Sequence, residues 1–484
     1  MIEKGVFIGG YVVPQDREFY EIRNPADYRQ VVSKFPMLRR SDVIEAIKVA
    51  KETFEKWRET TVYERAKILF KTAEVLESRS EEVVKTITLE EGKTLPESRY
   101  EVERIVVLLR FYGGLILNSL GRTIPSGTKN SFTLTMREPL GVVGLITPWN
   151  FPFLLPSWKV IPAIATGNTV VLKPASITPN SALEIVKAFH DAGVPPGVIN
   201  MVTGSGKEVG DEIVTNKDVS AISFTGSLEV GKEINGRVGN RFVRVQLELG
   251  GKNATVLTDK GDIDMAIKHV TASTVRNAGQ ICLATSRFLV PKKLHDKVLD
   301  ALTERFKKVV VGNGMKQGVE MGPVSSREQY EKVLNYIEIG KSEGARLVYG
   351  GEPVKGSDEY DYGYFIRPTI FDKVTEDMRI AKEEIFGPVL SVMEYEDLDE
   401  AIEIVNSTEY GLTAEIISND ISEVMEFSQK VEVGNVKVNR PTIELDQWVP
   451  YGGFKGSGND IYKELGEEAI QFYTRTKVVY FHYP

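Results

Sequence analysis

An α/β protein, with two parallel-sheet units behind a helical opening third, is predicted by three features of the sequence. Apolar residues recur at helical spacing through much of 41–117, short apolar runs alternate with helical stretches from Gly141 onward, and past Leu249 that alternation starts again. The chain has 484 residues, more than the ~100–200 that one ordinary core organises, so two or three domains are expected.

In chain order, residues 41–57 carry Val43, Ile47, Ala50, Phe54 and Trp57 on one face behind Ser41 as a capping residue, which describes an amphipathic helix. Residues 64–91 and 96–117 repeat the pattern, so this third is read as a helical scaffold, preceded by a segment, 6–20, suited to a hairpin. Pro, Gly and Thr enrich 121–136, which ends in alternating Phe132, Leu134 and Met136, an extended ribbon in need of a partner. Strands are predicted at 142–146, 169–172, 199–202 and 221–224, with helices near 156–165, 181–192 and 208–214. This βαβ rhythm implies a parallel sheet covered on both faces, with its ligand-binding strand ends on one side, and is read as a dinucleotide-binding domain. The second unit is expected to run through a strand at 254–257, a helix at 265–277, a strand at 287–290 and helices at 296–309 and 329–343. Alternating strand and helix continue through 364–371, 389–394, 398–406 and 434–438 to a glycine-rich run at 451–458. The tail, 474–481, alternates as an edge strand does and is expected to pair with the ribbon or with another subunit.

Composition narrows the function classes. Hydrophobic residues make up 42% of the chain, enough for sizeable cores, and a net charge of −8 without a basic cluster argues against nucleic acid. No apolar run reaches membrane-span length and the first residues lack a signal-peptide core, so a cytoplasmic protein is expected. His190, His269, His295 and His482 stand far apart without ligand spacing, and no metal site is expected.

Cys282 is the only cysteine. Without a disulfide partner or a second thiolate, it is either core filler or a nucleophile, and a nucleophile needs an activating group nearby. Two carboxylate and amide positions fit such a role: Glu248 in ELGGK at a strand end, and Asn150 in TPWNFP, where prolines fix the turn. Together they offer a thiol, a carboxylate and an amide donor, the parts needed for attack, water activation and oxyanion support. Gly204, Gly206 and Gly210 follow one strand and Gly226 and Gly231 the next; either set suits a phosphate cradle, although neither has the standard dinucleotide spacing.

TPWNFP at 147–152, KPAS at 173–176, FTGS at 224–227, ELGGK at 248–252, GQIC at 279–282, EEIFGPV at 383–389 and YGGFKGSG at 451–458 stand in one order along the chain. In these motifs it resembles the NAD(P)-dependent aldehyde dehydrogenase superfamily over nearly its full length. The resemblance implies Cys282 as nucleophile, Glu248 as general base, and Asn150 with the Cys282 backbone N–H as oxyanion hole. It implies cofactor contacts from Trp149, Lys173 (adenine ribose), Ser176, Gly204, Gly226, Ser227 (diphosphate), Leu249, Glu384 (nicotinamide ribose) and Phe386 (beside the ring). Relatives that prefer NAD carry a glutamate at the position of Ser176. A serine there removes the charge that repels a 2′-phosphate, so NADP is the expected cofactor, with NAD as a second.

Arg276 stands where semialdehyde-oxidising relatives keep an arginine for the substrate's distal carboxylate, and a guanidinium suits that group. Their second arginine is replaced here by Trp158. The loop VNRPTIELDQWVPYGG resembles that of dehydrogenases of 2,5-dioxopentanoate, with Arg440 as a candidate replacement charge, and this semialdehyde is the expected substrate. Phe151, Phe153 and Trp158 fit the alternative, a broad-specificity or glyceraldehyde-oxidising enzyme. A thiol acyltransferase would more naturally need a histidine beside the cysteine, the coenzyme A branch of the family generally lacks the Glu248 equivalent, and a silent binding protein would have no need of all three groups. The family's architecture implies a Rossmann-like dinucleotide-binding domain over 1–120 and 140–248, an α/β catalytic domain over 249–460, and a small β element, 121–139 with 461–484, that bridges subunits into a homo-oligomer, a dimer or tetramer.

Overall fold

The structure, a computed structural model, describes residues 3–118 and 121–484. Met1, Ile2, Ser119 and Leu120, which fall within the span expected for the nucleotide-binding part, lie outside the described residues. Two seven-stranded sheets carry the architecture. In the first, Arg244–Glu248, Val219–Thr225, Val142–Ile146, Thr169–Lys173 and Ile199–Met201 lie side by side in that order and run parallel. Val6–Phe7 joins the far edge antiparallel to Ile199–Met201 and pairs in turn with Tyr11–Val12. The hairpin expected at 6–20 is thus confined to its first half. Phe19–Asn24 instead pairs with Asp27–Pro36, a second hairpin whose alternation is hidden in the sequence by charged residues on its outer face.

The second sheet has the order Arg346–Tyr349, Thr369–Asp372, Val389–Tyr395, Thr285–Pro291, Asn253–Leu257, Thr413–Ile417, Asn435–Val438, parallel except for the first strand. The strand expected at 364–371 shortens to Thr369–Asp372, and Arg346–Tyr349 and Thr413–Ile417 are additional. Thr413–Ile417 escapes a pattern search because Glu415 interrupts it. The side chain is tolerated in the core because His269 Nδ1 lies 2.6 Å from its carboxylate and Thr255 donates to it at 3.0 Å. A three-stranded sheet places Ser131–Pro139 between Gly121–Pro125 and Thr474–His482, so the tail pairs with the ribbon of its own chain.

Three helices of the opening third pack on Leu154–Ala165 and Pro179–Asp191 in one continuous apolar cluster that reaches Cys282. The segment 64–91 divides at Arg79 into Val62–Ser78 and Ser80–Glu91. The first helix, Arg40–Trp57, starts before Ser41: Arg39 is its N-cap, and the Asp42 carboxylate reaches back to accept the Arg39 N–H at 2.8 Å, so the serine does not cap it.

The helix expected at 265–277 runs instead over Ile263–Val275. Asn277, Ala278 and Gly279 follow with φ of 51°, 50° and 71°, a left-handed run that no helix continues through. It delivers the chain to Cys282 and then into the strand Thr285–Pro291. Gly279 has no alternative residue, because a Cβ there would lie 2.2 Å from the Gly387 carbonyl oxygen. Gly279→Ala is therefore expected to cost about 3 kcal/mol through strain and overpacking, read as a lowered urea midpoint, and to abolish alkylation of Cys282 at its native rate.

Candidate active site

Two cavities meet at Cys282. One is lined by Phe151, Trp158, Glu248, Arg276, Cys282 and Tyr451 among others; the second by Trp149, Asn150, Gly226, Ser227, Glu384 and Phe386 among others. Cys282, Leu155, Thr225 and Leu249 border both. The thiol therefore faces two compartments that share a wall, the arrangement needed to bring two reactants to one sulfur.

The turn carrying the sulfur is fastened from several sides. Asn253 Nδ2 donates to the Cys282 and Ala284 carbonyls at 2.6 and 3.0 Å, and Gln280 takes the Ser325 N–H on its side-chain oxygen at 2.9 Å. Cys282 Sγ lies 3.4 Å from the Tyr451 hydroxyl. Burial in an apolar wall pushes the thiol up to about 12, and the neighbouring Glu384 and Glu248 carboxyls add to the rise, while the Tyr451 hydrogen bond opposes it. At rest this cysteine is a neutral thiol that needs a base at the moment of attack.

Asn150 Nδ2 donates to the Gln280 carbonyl at 2.9 Å, which aligns the amide beside the cysteine turn. The Asn150 carbonyl accepts from Lys93 Nζ at 2.7 Å and Asn277 Nδ2 at 2.9 Å. Lys93 is fully buried, and its ammonium also meets Glu101 at 2.5 Å; the second Glu101 oxygen takes the Leu154 N–H at 2.9 Å, at the start of the helix Leu154–Ala165. The opening helices thus hold the amide in place, a positioning role beyond scaffolding.

Glu248 ends the strand Arg244–Glu248 and is buried, with one carboxylate oxygen lacking any partner among the described residues. Burial, followed by the nearby Glu464 carboxyl, holds its pKa well above the usual carboxylate range. Behind it Lys159 Nζ bridges Glu464 at 2.5 Å and Ser223 at 2.8 Å, a buried ion pair bordering the same cavity. A carboxyl so raised is a competent proton acceptor near neutrality.

Most of the positions expected to meet a cofactor fall along the carboxyl edge of the first sheet, where open α/β sheets bind ligands, while Glu384 and Phe386 come from the second unit. Gly226 and Ser227 follow the strand Val219–Thr225, and Ser227 caps the helix Leu228–Val238. Two strands away, Lys173, Ser176 and Gly204 form a separate group that borders neither cavity: Ser176 Oγ donates to the Gly204 carbonyl at 3.0 Å, and burial lowers Lys173 to about 8. Glu384 accepts the Gly251 N–H at 2.9 Å, and its carboxylate occupies the space that a Cβ on Gly250 would fill, at 2.4 Å. Phe386, at φ 59°, meets Trp149 edge to face at 5.4 Å. These aromatic walls, the glycine edges and the unpartnered Thr225 hydroxyl between the cavities fit a nucleotide with a flat ring at one end.

In the first cavity Arg276 lies over the Tyr100 ring at 4.2 Å and has no carboxylate within ion-pair distance among the described residues. Arg440 corrects the sequence reading. Its guanidinium is bound to Glu444 at 2.9 Å and Asp446 at 2.9 Å, outside the cavity lining, so its charge is already neutralised and it supplies no replacement cation. Phe153 is fully buried beneath the lining. The scattered histidines include one that folding brings to acids, His295 beside Asp372 (2.7 Å) and Glu394 (3.5 Å), but Arg346 and Lys373 already bind those carboxylates, remote from both cavities.

The aldehyde dehydrogenase family model matches residues 11–479. The chain belongs to the aldehyde dehydrogenase family. It is 48% identical over 465 residues to 2,5-dioxopentanoate dehydrogenase of Saccharolobus solfataricus, covering 96% of each protein. It is 40% identical to alpha-ketoglutaric semialdehyde dehydrogenase of Bacillus subtilis, over 98% of this chain and 97% of that protein. Betaine aldehyde dehydrogenase of Staphylococcus aureus in complex with NAD+ superposes with a TM-score of 0.95 at 35% identity, covering 99% of this chain and 94% of that one. No helix among the described residues is long and apolar enough to cross a membrane.

For an aldehyde dehydrogenase, sequence reasoning missed the supporting residues: Lys93, Glu101, Tyr451, Lys159, Glu464 and Gln447. Tyr451 left a signal at the head of the YGGFKGSG run, and Gln447 lies in the loop VNRPTIELDQWVPYGG; Lys159 is a single polar residue in an apolar stretch, and Lys93, Glu101 and Glu464 stand among other charged residues, without motif. Since Tyr451 lowers the thiol's pKa, Tyr451→Phe is expected to displace the pH profile of Cys282 alkylation by iodoacetamide to higher pH. A profile that stays in place would remove the tyrosine from this role.

Proposed function

We propose that this enzyme oxidises a small semialdehyde, 2,5-dioxopentanoate, to the dicarboxylate with NADP, and with NAD as a second cofactor, through a thioester on Cys282. The observation that carries this is the shared lining: Cys282 and Glu248 border one cavity that also contains Arg276, which has no acid partner among the described residues, and Cys282 borders the neighbouring cavity. Relatives that cover almost the whole chain carry the names of dehydrogenases of this semialdehyde.

Cys282 Sγ adds to the aldehyde carbon as its thiol proton passes to solvent in the cavity. Asn150 Nδ2 and the Cys282 N–H then hold the alkoxide; one such donor is typically worth about 10²–10³ in rate. The chemistry that a bound nicotinamide dinucleotide supplies is hydride acceptance, which turns the adduct into the thioester. Glu248 takes a proton from water, and that water cleaves the thioester and frees Cys282. Arg276 faces the distal carboxylate throughout.

Ser176 offers no charge against a 2′-phosphate and Lys173 offers a cation, which favours NADP. The division into nucleotide-binding (1–120, 140–248), catalytic (249–460) and bridging (121–139, 461–484) parts is our reading of the sheets. Apolar residues on the small sheet, Ile124, Met136, Val478 and Tyr480, face solvent and suit a homo-oligomer, a dimer or tetramer, in the cytoplasm.

With 2,5-dioxopentanoate, Glu248→Gln is expected to give one burst of reduced cofactor and then stall, and Cys282→Ala no burst, in stopped-flow absorbance. Equal bursts from both would contradict the two roles. The kcat/KM ratio of NADP to NAD is expected to exceed one and to decline as pH rises through about 8, where Lys173 loses its charge; Ser176→Glu should lower it by about 10–100-fold.

A further inference from the structure

Where semialdehyde-oxidising relatives keep a second arginine, this chain has Trp158, and its partner is specific. Trp158 Nε1 donates to Gln447 Oε1 at 3.0 Å; both side chains are buried and both border the first cavity. An indole N–H can only donate, so the amide must turn its oxygen to the tryptophan and its NH₂ group away. That NH₂ finds no acceptor among the described residues, and its neighbours in the lining, Ile443, Leu445 and Tyr451, present apolar or aromatic surface. The indole is itself held edge to face on Tyr451, with ring centroids 5.5 Å apart. Two preoriented donors are therefore available at the lining of the cavity that holds Cys282. Arg276, in the same lining and free of any acid, supplies the charge; the amide supplies neutral donors.

We propose that Gln447 is a specificity-determining residue that donates to the 2-oxo oxygen of the substrate while Arg276 binds the adjacent carboxylate, so that Trp158 and Gln447 together do the work of the missing arginine. This rests on the semialdehyde reading above. An amide reads a carbonyl without adding a second positive charge, which separates 2-oxo acids from simple acids of the same length.

The test compares kcat/KM for 2,5-dioxopentanoate, for 5-oxopentanoate, which has the same chain and charge but no 2-oxo group, and for uncharged pentanal. Wild type is expected to favour the first over the second by about tenfold, the worth of one well-placed hydrogen bond. Gln447→Met should bring that ratio close to one through KM while retaining the preference of both acids over pentanal. Arg276→Ala should do the reverse, collapsing the preference for acids by about 10–100-fold and sparing the 2-oxo ratio. Trp158→Phe, which removes the indole N–H and keeps a ring, should lower the 2-oxo ratio as well, and serves if Gln447→Met does not fold. An unchanged 2-oxo ratio in both Gln447→Met and Trp158→Phe, from a wild type that prefers acids to pentanal, overturns the assignment to Gln447 alone. A wild type without preference for either acid over pentanal overturns the semialdehyde reading and this assignment with it.

Discussion

The hydrogen bond from Asn150 Nδ2 to the Gln280 carbonyl is the contact on which the site depends. Asn150 follows a strand of one sheet and Gln280 precedes a strand of the other, so this bond and its neighbours register two separately built layers. Lys93 and Asn277 both bind the Asn150 carbonyl, and the Glu97 carboxylate takes the Asn277 N–H at 2.7 Å. The amide and the sulfur are thereby set by one buried network, which a mobile loop on either layer would not achieve.

Charge is distributed unevenly around that network, and the unevenness carries the chemistry. Lys93 with Glu101 and Lys159 with Glu464 are buried pairs, each cation neutralised where it serves position. Glu248 and Cys282 are buried with no cation in hydrogen-bond contact among the described residues, and burial raises the pKa of both. Arg276 is the opposite case, a cation at the cavity with an aromatic ring for support and no acid partner among the described residues. An anionic substrate completes its coordination.

Much of this architecture was legible in the chain. The parallel strands at 142–146, 169–173 and 219–225 are short apolar runs between helical stretches, buried on both faces, and a period switch reveals such runs directly. The thiol, the carboxylate and the amide sit in turns flanked by glycine or proline, where local chemistry marks the residue. Thr413–Ile417 was hidden because its Glu415 is tolerated only through His269, 146 residues earlier. The end of the helix at Val275 was hidden because Ala278 has no intrinsic preference for the left-handed region and a single asparagine marks it only weakly; the packing of Gly279 on Gly387 and the bonds of Asn277 impose it.

Fold class, the order of strands and helices and the identity of the reacting groups follow from local patterns, because periodicity and turn chemistry act over a few residues. Which polar residues support those groups does not, since Lys93, Tyr451, Glu464 and Gln447 acquire their partners only when distant segments pack. The same holds for the contrast between two arginines: Arg440 meets Glu444 and Asp446 within its own loop and is neutralised, whereas Arg276 is carried by the cysteine turn into the cavity with no carboxylate within ion-pair distance among the described residues. Proximity across the sheets, rather than residue type, sets which charge remains available to a substrate.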